Sequence, residues 1–300
     1  MLSAPSYDRL LFMAVAALAR GVPLLGYITL YNALSAHRPS DVHRIQKDKW
    51  APPDLVKAAS WKAFTDQTIV QIPLLWFSYD LFTWIGAPAL DSELPRLRTV
   101  VEHILFFIVT CDTITYWTHR MLHQPYFYST FHKQHHEFHT NHPLASTYFS
   151  FVDDLLTGRC CNLHNVSFLV LKKYFVAGTV PTLFGPIFLR SHVMVVLLWV
   201  AIRICETSEA HLSYLFKNSF FSVFGRPADF HDFHHSHNTG NFGSFFTFWD
   251  WLCGTERAYY QWKRSKEGPW PQYLKILYCV QNVMQGLLLC FIFRKYFRKK

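Results

Sequence analysis

The chain has 300 residues, of which 51% are hydrophobic, 18% aromatic and only 16% charged, with a mean hydropathy of +0.08; this excludes a disordered chain and argues for a membrane protein over a soluble globule. A formal net charge of +9 would suit a nucleic-acid binder, but Lys and Arg are scattered between apolar runs with no nucleic-acid module, so a membrane surface is the expected partner. Seven cysteines, an odd number without CxxC or zinc-like spacing, argue against a disulfide framework and for a reducing, cytosol-facing location, with Cys160 and Cys161 as inert core thiols.

The first apolar run, 10–31, is broken by Arg20, Gly21 and Pro23 and is expected to be a membrane helix. A cleaved signal peptide competes with that reading, because 10–18 is a short apolar core followed by a cleavage-like Ala17, Leu18, Ala19. Residues 32–62 are polar and basic, carry Pro39, Pro52 and Pro53, and read as a surface loop. A second run, 69–90, contains Asp80 and ends near Gly86 and Pro88; a third, 100–117, feeds into His119. The short linker at 91–98 makes these two runs a candidate hairpin.

From His119 the chain reads HRMLH and then HKQHH, five histidines ending at His136, and HDFHH returns at 231–235. If each motif is helical, His119 and His123 stand one turn apart, as do His132 with His135 or His136, and His231 with His234 or His235, so each motif aims its imidazoles one way. Eight neutral imidazoles exceed what one four-coordinate zinc needs, and two metals in a bundle core are the simpler expectation. Asp112, two turns before His119, reads either as the hydrogen-bond partner of a ligand's second nitrogen or as a polar helix-end residue.

The stretch 138–165 is mixed. His139 and His142 read as solvent or supporting groups, and Asp153 or Asp154 as candidates to orient an imidazole. Residues 166–204 are apolar apart from Lys172, Lys173, Pro181, Gly185, Pro186 and 190–192, which fits two spans or a re-entrant pair joined by a turn near 178–186. The aromatic stretch 242–251 is a candidate cavity wall, with Trp249 and Asp250 structural. The last run, 276–293, contains Gln281, Asn282 and Gln285 and is followed by Arg294, Lys295, Arg298, Lys299 and Lys300. Its shortness and the positive-inside tendency predict an interfacial or re-entrant helix with its basic tail on the metal-site side. No strand alternation is sustained. The expected fold is all-α: integral membrane helices in 1–98, a histidine-rich di-metal domain in 99–275 that caps them on the cytosolic side, and an interfacial helix with a basic tail in 276–300.

HxxxH, HxxHH and HxxHH, in this order within a hydrophobic chain, resemble the membrane-bound fatty acid hydroxylase and sterol desaturase superfamily. HKQHHEF at 132–138, ETSEAHLSY at 206–214 and HDFHHSHNTGNFGSFFTFWDWLCGTE at 231–256 bring the likeness closest to the sterol carbon-4 methyl oxidases, over about 100–260. The chain departs from their pattern at Tyr148, Phe149, Ser150 and Phe151, where they show Tyr-Ala-His-Pro. It departs again at Leu212, where Gly is usual; the added bulk and lost conformational freedom imply an altered wall near the substrate. HHSH at 234–237 also resembles sterol side-chain hydroxylases.

The resemblance implies two irons held by His119, His123, His132, His135, His136, His231, His234 and His235, with His211 as a ninth ligand. It further implies O2-dependent oxidation of a sterol 4-methyl group, electrons from NAD(P)H through cytochrome b5 and its reductase, and an endoplasmic reticulum membrane location. Lys263, Arg264 and Lys266 are expected to dock the acidic face of cytochrome b5. A carbon-5 desaturase, a side-chain hydroxylase and a fatty-acyl hydroxylase share the same site and stay open as alternatives. A non-catalytic sterol- or metal-binding membrane protein is the remaining reading, against which the intact clusters speak.

Overall fold

The computed structural model describes residues 7–37, 43–148, 180–224 and 227–297; among these the chain is helical, with a single isolated bridge between Arg44 and Tyr214 and no strand. Asp153, Asp154, Cys160, Cys161, the 149–151 departure, Lys172, Lys173 and the last three basic residues lie outside the described residues.

Helix α1 (Tyr7–Ala36) carries Pro23 inside it. At its start the Arg9 guanidinium pairs with Asp80 and Phe12 packs on Tyr79 and Phe82; at its end Ser35 reaches Tyr214 and Tyr31 packs on His142. Helix α2 (Pro53–Thr65) leads through a π-helical turn (Asp66–Val70) into α3 (Gln71–Trp84), which returns alongside α1. Helix α4 (Leu97–Leu122) then runs towards the histidines, burying Phe106, Phe107, Val109, Cys111 and Tyr116. Beyond the histidine turns, α5 (Val180–Phe188) lies on α4, its Gly185 so close to Phe107 that a Cβ would stand 2.6 Å from that ring. Helix α6 (Val193–Ala210) packs Val193, Val196 and Leu197 against Phe12 and Ala16 of α1, and Trp199 against Phe107. Three shorter helices, α7 (Ala228–His237), α8 (Phe248–Cys253) and α9 (Arg257–Glu267), build the histidine end. Helix α10 (Gln272–Phe297) leaves it.

These contacts fix directions. Helices α1, α4 and α6 run towards the histidines, and α3 and α10 run away. Near the start of α10, Asn282 accepts from Thr247 beside α8. Near its end, Lys295 pairs with Glu102 at 2.9 Å and Tyr296 packs on Phe106 at 4.7 Å, both in the first half of α4. Among the described residues, α1 and α10 are the two helices long and apolar enough to cross a membrane. Leu18, Val22 and Leu25 on α1 and Ile276, Val283, Leu287 and Phe291 on α10 are exposed, a surface that suits lipid rather than water.

Several expectations are corrected here. Part of 32–62 is ordered: α2 fills its end, and Arg44 is buried, donating to Tyr214 Oη at 3.2 Å while Ile45 N donates to Ser213 O at 3.0 Å. Runs two and three form no hairpin, because α3 takes α1 as its partner and α4 takes α5. Residues 180–188 are helical rather than a turn, and the chain reverses at Arg190, whose φ is 46°. The last run is a helix of 26 residues, so it is not too short to span, and its end lies at the opposite end of the bundle from the histidines.

Candidate metal centre

The nine expected histidines converge into two groups. His119, His123, His132, His136 and His234 form one, and His135, His211, His231 and His235 the other, with ligand-competent atoms within 4.8 Å of one another in each. In the first, His132 Nε2 lies 3.1 Å from both His119 Nε2 and His136 Nε2. In the second, His211 Nε2 lies 2.9 Å from His231 Nε2 and 3.2 Å from His235 Nε2.

The local geometry explains the sorting and corrects the expectation that each motif aims one way. On α7, His231 and His235 are i,i+4 neighbours on one face and serve the second group, while His234, one residue from His235 and about 100° around the helix, serves the first. HKQHH mirrors this: His132 and His136 serve the first group and His135 the second. HKQHH is not an α-helix, however. A π-turn (Tyr128–His132) and a 3₁₀ turn (His135–Glu137) replace it, and their different pitches place the three rings. His123 caps α4 and His211 caps α6.

Backbone carbonyls set the tautomers. His119 Nδ1 donates to Phe242 O at 3.0 Å, His135 Nδ1 to Ala145 O at 3.0 Å, His211 Nδ1 to Thr207 O at 2.7 Å and His234 Nδ1 to Gly240 O at 2.6 Å. A carbonyl only accepts, so each Nδ1 carries the proton and each Nε2 turns a lone pair into the cluster. Burial, and then the neighbouring imidazoles, push His123 and His136 down to about 2 and hold His132, His135, His234 and His235 well below the usual range. All remain neutral, as metal ligands must be. His123 Nε2 and His234 Nε2 are buried without a hydrogen-bond partner. Crowded lone pairs and orphaned nitrogens fit metal ions; the five nitrogens of the first group exceed the four that tetrahedral zinc takes, and the four of the second equal them.

The loop that follows α7 supports the first group. Asp250 accepts from Phe242 N at 2.9 Å and Gly243 N at 2.7 Å, and Phe242 packs on His119, His123 and His234. Gly240 has φ +56°, and a Cβ there would stand 2.0 Å from Thr255 O, a close approach that needs glycine. Asp112 touches no imidazole. Its Oδ1 accepts from Ser244 N, Phe245 N and Phe246 N at 3.1, 2.8 and 3.0 Å, because two helical turns, about 10 Å, separate it from His119.

Leu212 lines neither cavity at the site. It is buried against Tyr31 and Tyr214, and the positive φ falls on Ser213, at 61°. His139 is exposed, whereas His142 is buried and its Nδ1 accepts from Leu144 N. Lys263 is turned inward to Asp229 at 2.6 Å, leaving Arg264 and Lys266 on the surface. Sequence reasoning missed Asp232, buried within HDFHH and accepting from Gln46 at 2.8 Å. Burial pushes its carboxyl up to about 7 against that hydrogen bond. Its place beside His231 was the one available signal.

Two cavities meet here. A small one of about 90 Å³ is lined by His119, His132, His135, His211 and His231. A larger one of about 520 Å³, walled by groups such as Leu105, Ile108, Phe221, Phe246 and Leu288, shares Ser244 with it. The larger volume is in the range that holds a drug-sized ligand.

Fold and site together define a helical protein built around two histidine groups that could each hold a metal ion. The fatty acid hydroxylase family profile matches residues 104–255. The chain is 34% identical over 230 residues to very-long-chain aldehyde decarbonylase GL1-8 of Oryza sativa subsp. indica, spanning 75% of this chain and 77% of that protein. It is 32% identical over 203 residues to methylsterol monooxygenase 2-2 of Arabidopsis thaliana, spanning 66% and 68%. It is 25% identical over 174 residues to fatty acid hydroxylase domain-containing protein 2 of Homo sapiens, spanning 57% and 46%. No solved structure matches. The chain belongs to the fatty acid hydroxylase family.

Proposed function

We propose that this protein is a di-iron, O2-dependent oxidase of membrane lipids, and that its substrate is a sterol intermediate oxidised at a 4-methyl group. The single observation that carries the reading is the pair of all-imidazole groups around a small cavity that shares Ser244 with a larger apolar one; the likeness to methylsterol monooxygenases favours the sterol. The chemistry that two bound irons supply is activation of dioxygen for attack on an unactivated C–H bond. The protein's part is to hold nine neutral nitrogens in place, to fix their tautomers through backbone carbonyls, and to exclude water with the aromatic loop at 242–246. Electrons come from NAD(P)H through cytochrome b5 and its reductase, docking at the histidine end near Arg264 and Lys266. That end faces the cytosol from the endoplasmic reticulum membrane.

Expression in sterol-auxotrophic cells lacking the 4-methyl oxidase, with sterols identified by mass spectrometry, tests the reading. Loss of the accumulated 4-methyl sterols and two irons per chain are expected; unchanged sterols overturn the substrate. A second reading rests on the rice relatives named for very-long-chain aldehydes. Long-chain aldehydes fed to the same cells and analysed for shortened hydrocarbons decide between the two.

A further inference from the structure

Arg203 lines the small cavity, and its partner Glu206 lines the large one. With Thr207 and His211 it occupies positions i, i+4 and i+8 of α6 and its terminus, one face of the helix, and all three line the small cavity with the metal-site histidines. Its guanidinium pairs with Glu206, which lines the large cavity and accepts from Ser244 Oγ at 3.3 Å. Its Cζ stands 5.6 Å from the Phe245 ring centre. Its Nε is buried and makes no hydrogen bond. Around it Thr115, Thr118, Ser146, Thr207 and Ser244 add hydroxyls to the small cavity. Thr118, Ser146 and Ser244 already donate to Ile114 O, Pro143 O and Glu206, but a site that handled only hydrocarbon would not place a guanidinium with a spare donor on its wall, because that cation costs desolvation when an apolar group fills the space.

We propose that Arg203 anchors an oxygen acceptor carried by the lipid near the carbon to be oxidised, a hydroxyl, carbonyl or carboxylate, while the apolar body of the lipid occupies the larger cavity. This deepens the function proposed above and rests on it for the identity of the lipid. The planar guanidinium keeps Glu206 on Nη1 and leaves its other N–H groups for the substrate, a division that a lysine ammonium cannot reproduce. The substrate therefore enters polar end first, and the oxygen fixes which carbon faces the metals.

The test measures lipid binding directly on the metal-loaded full-length protein in detergent, with two matched pairs: a 4,4-dimethyl sterol against its 3-deoxy analogue, and a very-long-chain aldehyde against the alkane of equal length. The wild type is expected to bind the oxygenated member of one pair about 10- to 100-fold tighter, the range for a hydrogen bond to a charged group. Arg203→Met is expected to abolish the preference with metal content unchanged, and Arg203→Lys to restore part of it. If Arg203→Met loses metal, Arg203→Met with Glu206→Gln removes both charges together and is read the same way. The pair that shows the preference tells a hydroxyl from a carbonyl. Equal binding within both pairs by the wild type, or a preference that survives removal of the guanidinium, overturns the anchor. Turnover measured on the same samples separates the two ideas: preference without oxidation leaves the anchor standing and removes the oxidase, and oxidation without preference does the reverse.

Discussion

The Phe242 carbonyl oxygen accepts the Nδ1 proton of His119 at 3.0 Å, so a loop residue more than a hundred positions away sets the tautomer of the first histidine of the cluster. Asp250 holds that loop through the amides of Phe242 and Gly243. Asp250→Asn replaces one acceptor oxygen by a donor and is expected to lower metal affinity or activity about 10- to 100-fold. Metal titration of the apo-protein checks it. Gly243→Ala, whose Cβ would stand 2.4 Å from Phe246 O, is expected to act in the same direction.

The sorting of the histidines predicts separable metals. His136→Ala is expected to empty the first group and His235→Ala the second, each leaving about one metal per chain and lowering turnover by more than the ~100-fold typical of an outer partner. Elemental analysis of the purified variants checks it; two metals retained in either variant contradicts the grouping.

Asp112 predicts a stability effect rather than a metal effect. Asp112→Ala leaves three buried amides without an acceptor, a loss on the order of 3 kcal/mol. Thermal unfolding in detergent is expected to show a lower Tm at full metal content. Metal loss from a variant with unchanged Tm would instead make Asp112 part of the metal site.

His142 predicts a pH dependence. Burial holds its imidazole down to about 4, so between pH 4 and the unfolded value near 6.5 the unfolded chain binds more protons than the folded one. Stability therefore rises with pH across that window, and about 3 kcal/mol present at neutral pH is lost as pH falls towards 4. The stability of the wild type relative to His142→Asn, which keeps a side-chain acceptor for Leu144 N, is expected to fall as pH drops from 6.5 to 4 and to be flat above 7.

The direction of α10 predicts topology. Lys295 beside Glu102 puts the end of α10 at the far end of the bundle from the histidines, as Arg9 beside Asp80 does for the start of α1. In sealed microsomes a C-terminal tag and the histidine end are expected on opposite faces, read as protection of one and cleavage of the other. A tag cleaved on the same side as α9 restores the interfacial helix.

The nine histidines were legible because imidazoles at i, i+3 and i+4 in three clusters are a pattern with few structural uses, and family resemblance added His211. Their division was not, because it depends on the π and 3₁₀ turns of 128–137, which tertiary packing imposes. Asp112 shares a helix face with His119, yet the loop at 244–246 claims its carboxylate, and no local signal announces that. Lys263 looked like surface charge because Asp229, its partner, is 34 positions away. The helix at 53–65 hid among prolines and charges whose apolar neighbours pack on a distant segment.

The division of the two HxxHH motifs also sets the order in which the protein can be built. By the time residue 136 has left the ribosome, the first group has four of its five histidines and the second has only His135. The second must wait for His211, His231 and His235. The first group, for its part, still waits for His234 and for the Phe242 carbonyl that sets the His119 tautomer. A chain stopped before His211 would lack three histidines of the second group and, from the first, His234 and the loop that orients His119, so both groups are completed only by the segment 211–250.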